Sequence, residues 1–157
     1  MKTQIHIYTD GSSRGNPGLG GWAYVAIVEI DGKKKEVFEG SGAPAKGVLA
    51  TNNQMELEAA IQGLRFAKEN YADASITIFA DSAYVLGGLK GWLDNWVRNG
   101  WKTSTKKPVE NKAQWETLME LRDFFGTRAV YTKVQGHAGD EYNERADVLA
   151  VEAALRE

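Results

Sequence analysis

One stretch near the start, Gln4-Ile5-His6-Ile7-Tyr8-Thr9-Asp10-Gly11, restricts the fold more than any other part of the sequence. Ile5, Ile7 and Thr9 alternate with His6, Tyr8 and Asp10, which is the period-two pattern of a β-strand, and β-branched and aromatic side chains suit its pleat. The strand reads as central, and it ends in a carboxylate. Burying an acid at the carboxyl end of an interior strand is costly unless something pairs with it, so Asp10 is the first candidate for a metal ligand. Gly11 is expected to turn the chain sharply into a polar, glycine-rich loop, Ser12-Ser13-Arg14-Gly15-Asn16-Pro17-Gly18.

The remaining elements follow from periodicity and punctuation. Trp22 to Ile30 reads as a second strand, Asp31-Gly32 as a hairpin turn, and Lys33 to Gly40 as a third strand polar enough for a sheet edge. Leu57, Ala60, Ile61, Leu64 and Ala67 predict a helix over about 53–69, with Asn53-x-x-Glu56 as a capping box. Ser75 to Ala80 is a buried strand that also ends in an acid, Asp81. A short helix broken around Gly87-Gly88 is expected next, then a helix from Gly91-Trp92 to Asn99 stopped by Gly100. Trp115, Leu118, Leu121 and Phe125 mark a helix over 111–125. Ala129 to Val134 is the last strand and 141–156 the closing helix.

Two hairpins followed by strand–helix alternation predict an α/β fold with a mixed five-stranded sheet, antiparallel on one side, parallel on the other, and helices on both faces. Ligands in open α/β sheets gather outside the carboxyl ends of the parallel strands. If the first and fourth strands are parallel neighbours, Asp10 and Asp81 meet there.

At 157 residues the chain fits one domain, 1–157. It has no cysteine, which excludes disulfides and thiolate metal sites and points to a reducing compartment, so a cytoplasmic location is expected. No apolar run approaches a membrane span, Met1-Lys2-Thr3 leads straight into a strand rather than a signal peptide, and no large exposed apolar patch argues against a monomer. The net charge is −2, yet residues 90–112 carry six cations against two acids, a local surplus of four that leaves a deficit of six elsewhere. A partner touching only that region meets a basic surface.

Each candidate residue also has a plain structural explanation. Asp81-Ser82 suits the cap of the next helix, Glu56 the capping box, Asp147 a solvated helix face, and His6 an ordinary strand position. Taken together, Asp10, Glu56, Asp81 and Asp147 are two strand-end and two helical carboxylates able to converge. Such an oxygen cluster suits hard divalent cations such as Mg²⁺. Two ions about 3.5–4 Å apart activate water and stabilise the leaving oxygen of a phosphodiester. Without metal, the four acids would repel one another and some pKa values would rise.

Tyr8-Thr9-Asp10-Gly11-Ser12, Thr51-Asn52-Asn53-Gln54-Met55-Glu56-Leu57, Asp81-Ser82-x-Tyr84-Val85 and Gly136-His137-Ala138-Gly139-x5-Arg145-Ala146-Asp147 resemble, in order, the signature segments of ribonuclease H type 1. Trp92-x3-Trp96 and Gly100-Trp101-Lys102 are similar to the basic handle of its bacterial members. The resemblance implies a ribonuclease H-like fold and a metal-dependent endonuclease that cleaves the RNA strand of RNA–DNA hybrids, leaving 5′-phosphate and 3′-hydroxyl ends. It implies two Mg²⁺ ions, with Mn²⁺ a possible substitute, held by Asp10, Glu56, Asp81 and Asp147. Asp10 would bridge both ions, Glu56 and Asp81 would hold the one on the leaving-group side, and Asp147 the one that activates water. His137 would move protons or assist product release, for which an imidazole titrating near neutrality is suited. Gly11, Asn16, Asn52 and Asn53 would contact substrate, with the 2′-hydroxyl identifying the RNA strand. Thr51 and Asn95 match positions used for a DNA phosphate. Trp92 and Trp96 share one helix face, where they either line a groove for the DNA strand or pack the helix onto the domain.

The sequence departs from that family's pattern at Ala83, Ser13 and Leu49, and Val97, Asn99 and Glu110 make its handle less basic. Fewer phosphate contacts predict weaker, less salt-sensitive hybrid binding with the chemistry intact. Two other readings compete: a hybrid-binding module that has lost catalysis, and another nuclease of the same fold, such as a junction resolvase or transposase core.

Overall fold

The computed structural model describes residues 2–134 and 141–156. Strands β1 (Thr3–Arg14), β2 (Leu19–Ile30) and β3 (Lys33–Gly42) form an antiparallel meander. Asp31 and Gly32 both take positive φ, 52° and 83°, as the tight β2–β3 turn requires. Helix α1 (Asn52–Asn70) then carries the chain across to β4 (Ser75–Ala80), which pairs parallel with β1. After α2 (Ala83–Gly87), α3 (Leu93–Arg98) and α4 (Lys112–Phe125), β5 (Ala129–Lys133) adds parallel to β4, and α5 (Glu141–Leu155) closes the chain. The sheet order is β3-β2-β1-β4-β5, the mixed antiparallel and parallel sheet expected from the sequence.

Alternation along β1 sorts the two faces. Ile5 and Ile7 are fully buried with Leu57 and Leu64 of α1, Ile76 and Ile78 of β4, and Trp115 and Phe125 of α4. Each fully buried aliphatic side chain stabilises the fold by about 1.5–3 kcal/mol relative to an exposed one. The opposite face takes α5, whose Ala146, Leu149 and Ala150 cover Ala23, Val25 and Ile27 of β2. His6 is an ordinary member of that face, its ring tilted 5.6 Å from Phe79. On the open edge, Lys33, Lys34 and Lys35 of β3 are exposed, which guards against edge-to-edge pairing.

Three local expectations need correction. Gly11 does not turn the chain: β1 runs on to Arg14, paired throughout with β2. The capping box belongs to Thr51 and Gln54, two residues before the predicted Asn53 and Glu56. Thr51 Oγ1 accepts from Gln54 N at 3.1 Å, and Thr51 N donates to Gln54 Oε1 at 2.9 Å. Gly87-Gly88 does not break the helix either, because both residues keep right-handed helical angles and the chain widens into a π-turn over Gly88–Trp92. These glycines serve close packing: a Cβ on Gly87 would lie 2.5 Å from the Trp92 ring, and one on Gly88 2.1 Å from the Trp115 ring.

Candidate active site

β4 stops pairing at Ala80 opposite Thr9, while β1 continues. Asp10 and Asp81 are the next residues on these two parallel neighbours, so both acids sit where the strands part. α1 crosses β1 at this level because Gly11 has no side chain. A Cβ there would stand 2.3 Å from the carbonyl carbon of Met55 and 2.4 Å from the nitrogen of Glu56. The missing methyl brings Glu56 to Asp10.

Asp10 occupies the middle of an acidic row. The Asp10 carboxyl is in hydrogen-bonding contact with Glu56 on one side and with Asp147 of α5 on the other, and the Gly11 N–H donates to Asp10 Oδ1 at 2.9 Å. Burial pushes the Asp10 carboxyl up to about 7, reinforced by its hydrogen bond to Asp147 and by that residue's charge. Burial, then the charge of Asp10, pushes Glu56 up to about 9, with a smaller contribution from Asp81. Desolvation and like charges act in the same direction, as expected of carboxylates packed without countercharge. The plain structural roles of two acids fall away. Ser82, not Asp81, caps α2 by accepting from Val85 N at 3.1 Å, and the α1 cap leaves Glu56 free of that duty.

Among the described residues no group of three or more acids or histidines is already set to hold a metal ion. The donor chemistry nevertheless fits a hard divalent cation: carboxylate oxygens only, two with raised pKa values, from two strand ends and two helices, and none in a salt bridge to a cation among the described residues. His137, with its Gly136–Gly139 segment, lies outside the described residues.

At the start of α1 opens a cleft of about 680 Å³ lined by Asn16, Thr51, Asn52, Asn53, Gln54, Glu110 and Asn111, with none of the four acids on its wall. Asn16 is fixed there by accepting from the Asn52 N–H at 3.0 Å, and the Gly18–Ala50 bridge ties its loop to the approach to α1. Gln114 of α4 joins the two walls, donating to Gln54 O at 3.0 Å and Glu58 Oε1 at 3.3 Å.

The RNase H family model matches residues 2–155. The chain belongs to the ribonuclease H family. It is 42% identical over 157 residues to Ribonuclease H of Neisseria gonorrhoeae, covering 99% of each. Its structure is similar to that of RNase H1 from the halophilic archaeon Halobacterium salinarum, with a TM-score of 0.67, 30% identity and coverage of 98% and 99%. The fold also matches LC11-RNase H1, described in complex with an RNA/DNA hybrid, at a TM-score of 0.65 and 24% identity over 97% of both chains. Ribonucleases H are hydrolases acting on the RNA of RNA–DNA hybrids and depend on divalent metal.

The ribonuclease H fold of this chain carries a second groove of about 340 Å³, lined by Trp92, Asn95, Trp96, Asn99, Lys102, Thr103 and Ser104. Trp92 and Trp96 meet here, ring centroids 6.2 Å apart. Trp92 is 45% exposed, whereas Trp96 is half-buried with its ring edge-on to Trp115 at 5.2 Å, so Trp96 both lines the groove and packs the helix. Asn95 belongs to this groove, whereas Thr51 lines the larger cleft, so the two are not neighbours around one cavity. The sequence reading gave no site role to Gln54, Glu110, Asn111 or Gln114. Asn111 is the most informative of these. It takes a left-handed φ of 59° at the start of α4, where it makes no side-chain cap, and its amide donates instead to Tyr84 Oη at 3.2 Å. In the sequence an Asn ahead of a helix reads as an ordinary N-cap, so nothing there marked it.

Proposed function

We propose that this chain is an endonuclease that hydrolyses the RNA strand of RNA–DNA hybrids with two bound Mg²⁺ ions, leaving 5′-phosphate and 3′-hydroxyl ends. The observation that carries the reading is the acidic row, with Asp10 between Glu56 and Asp147 and two carboxyl groups raised by burial and mutual repulsion. Residues that repel one another in a fold are retained at a cost, and a divalent cation removes that cost.

Asp10, Glu56, Asp81 and Asp147 would hold the ions, with Asp10 as the shared ligand. When bound, the metal supplies countercharge, a more acidic water and stabilisation of the leaving oxygen. Asn16, Asn52 and Asn53 line the cleft with amide groups able to pair with 2′-hydroxyls and base edges of the RNA strand, and Thr51 adds a hydroxyl. Trp92, Asn95 and Trp96 line the neighbouring groove, an aromatic and amide surface suited to the DNA strand. We assign His137 to proton transfer from its place in the signature segment. No described helix is long and apolar enough to cross a membrane, and we propose a cytoplasmic monomer acting as one domain.

The test compares labelled RNA–DNA hybrid, duplex RNA, duplex DNA and single strands, each with Mg²⁺ and with EDTA. Cleavage confined to the RNA of the hybrid and abolished by EDTA is expected. Asp10→Asn should abolish cleavage while hybrid binding persists. Wild-type binding without any metal-dependent cleavage would leave only the binding-module reading.

A further inference from the structure

Glu110 sits on the wall of the larger cleft, opposite the N-terminal turn of α1. That turn holds Thr51, Asn52, Asn53 and Gln54 and no acidic residue, so the partial positive end of a 19-residue helix faces the cleft unopposed from its own side. Glu110 is exposed, and it makes no ion pair among the described residues. It precedes Asn111, whose side-chain amide donates to Tyr84 Oη, and Gln114 ties the same stretch to α1. The carboxylate is therefore carried on an anchored segment, with no ion-pair partner among the described residues. Within the chain it belongs to the basic stretch 90–112, yet the fold lifts it out of the Trp92–Lys102 groove and into the amide-lined cleft.

From this placement we infer that Glu110 is a specificity-determining residue: it repels backbone phosphate entering the cleft, so that occupancy depends on amide recognition of the RNA strand rather than on charge. The inference rests on the proposed hybrid-cleaving function. A fixed carboxylate beside a phosphate is unfavourable for any nucleic acid, whereas the amides favour only a strand that offers matching groups. The cost falls on every phosphate backbone alike, so only a strand whose groups offset it through the amides fills the cleft. Such repulsion between exposed groups is weak and fades with salt as the Debye length contracts from about 10 Å at 0.1 M to about 3 Å at 1 M.

Binding is measured in an Asp10→Asn background, which prevents turnover, with hybrid and duplex DNA as probes over a salt series. Glu110→Gln is expected to bind duplex DNA and the hybrid each about two- to fivefold more tightly at low salt, both gains shrinking as salt rises. Glu110→Lys should go further, and its log–log salt slope should steepen by about one. Unchanged binding of both probes by Glu110→Gln overturns the inference, as does a gain that persists undiminished at high salt. Asn53→Ala separates this from failure of the functional reading. If that variant binds hybrid as well as its parent does, the cleft does not receive substrate at all, and the premise fails rather than the role of Glu110.

Discussion

Gly11 lies so close to Met55 that a β-carbon on the glycine would stand 2.3 Å from the Met55 carbonyl carbon, far inside van der Waals contact. The obstacle is backbone on both sides, so neither strand nor helix has a flexible group to move away. Gly11→Ala should push α1 off β1, cost about 3 kcal/mol or more, and separate Glu56 from Asp10. Cleavage should fall at least a hundredfold even at temperatures where circular dichroism shows a folded chain. Near-normal activity in a folded Gly11→Ala protein would mean that the approach of α1 does not set the site.

The acidic row makes the metal-free protein sensitive to alkali. Asp10 and Glu56 have folded-state pKa values raised to about 7 and about 9, above their ordinary carboxyl values of 3.8 and 4.5. Between those limits the native chain holds protons that the unfolded chain has lost, so stability falls as pH rises through that window. Asp10→Asn removes one repelling charge. In EDTA at pH 9 it should gain on the order of 1–2 kcal/mol, or a Tm about 3–8 °C higher, and near pH 4 the advantage should vanish. Thermal melts at the two pH values decide it, and an equal gain at both would point to packing instead of charge.

Gln114 holds the cleft walls at their spacing through Gln54 O and Glu58. Gln114→Ala should cost about 1 kcal/mol of stability and raise KM for hybrid several-fold, with kcat little changed because the acids are untouched. Steady-state kinetics on a hybrid oligonucleotide provide the check. A drop confined to kcat would place its effect on the acids.

Tyr84 Oη accepts from Trp115 Nε1 at 2.9 Å and from Asn111 Nδ2 at 3.2 Å, linking the helix after Asp81 to the start of α4. Tyr84→Phe strands two donors and should destabilise the fold by about 2 kcal/mol, lowering Tm by about 4–8 °C. It also frees Asn111, so hybrid affinity should weaken alongside stability. Phenylalanine at full stability would show that solvent replaces the hydroxyl.

Much of this was written in the local pattern. Alternation in β1 and the order of elements were enough to bring Asp10 and Asp81 side by side, because parallel neighbours share a carboxyl end. The stripe Trp115, Leu118, Leu121 and Phe125 marked α4 because helix burial follows the 3.6-residue period. What stayed hidden was non-local. Gly11 and Gly87 read as punctuation, and only their neighbours across space, Met55 and Trp92, reveal that the absent side chain matters. Thr51 and Asn53 are both good N-caps, and choosing between them depends on where Gln54 can reach back. Glu110 and Asn111 lie over fifty residues from Asn52 and Asn53, so no spacing rule could place them around one cleft.

The early end of β4 has a final consequence. One more residue of parallel pairing would lay Asp81 along Asp10 and close main chain over the acid. Instead Ser82 accepts from the Val85 N–H as the polypeptide turns into α2. The main chain thus leaves the sheet beside Asp10 instead of running on along it.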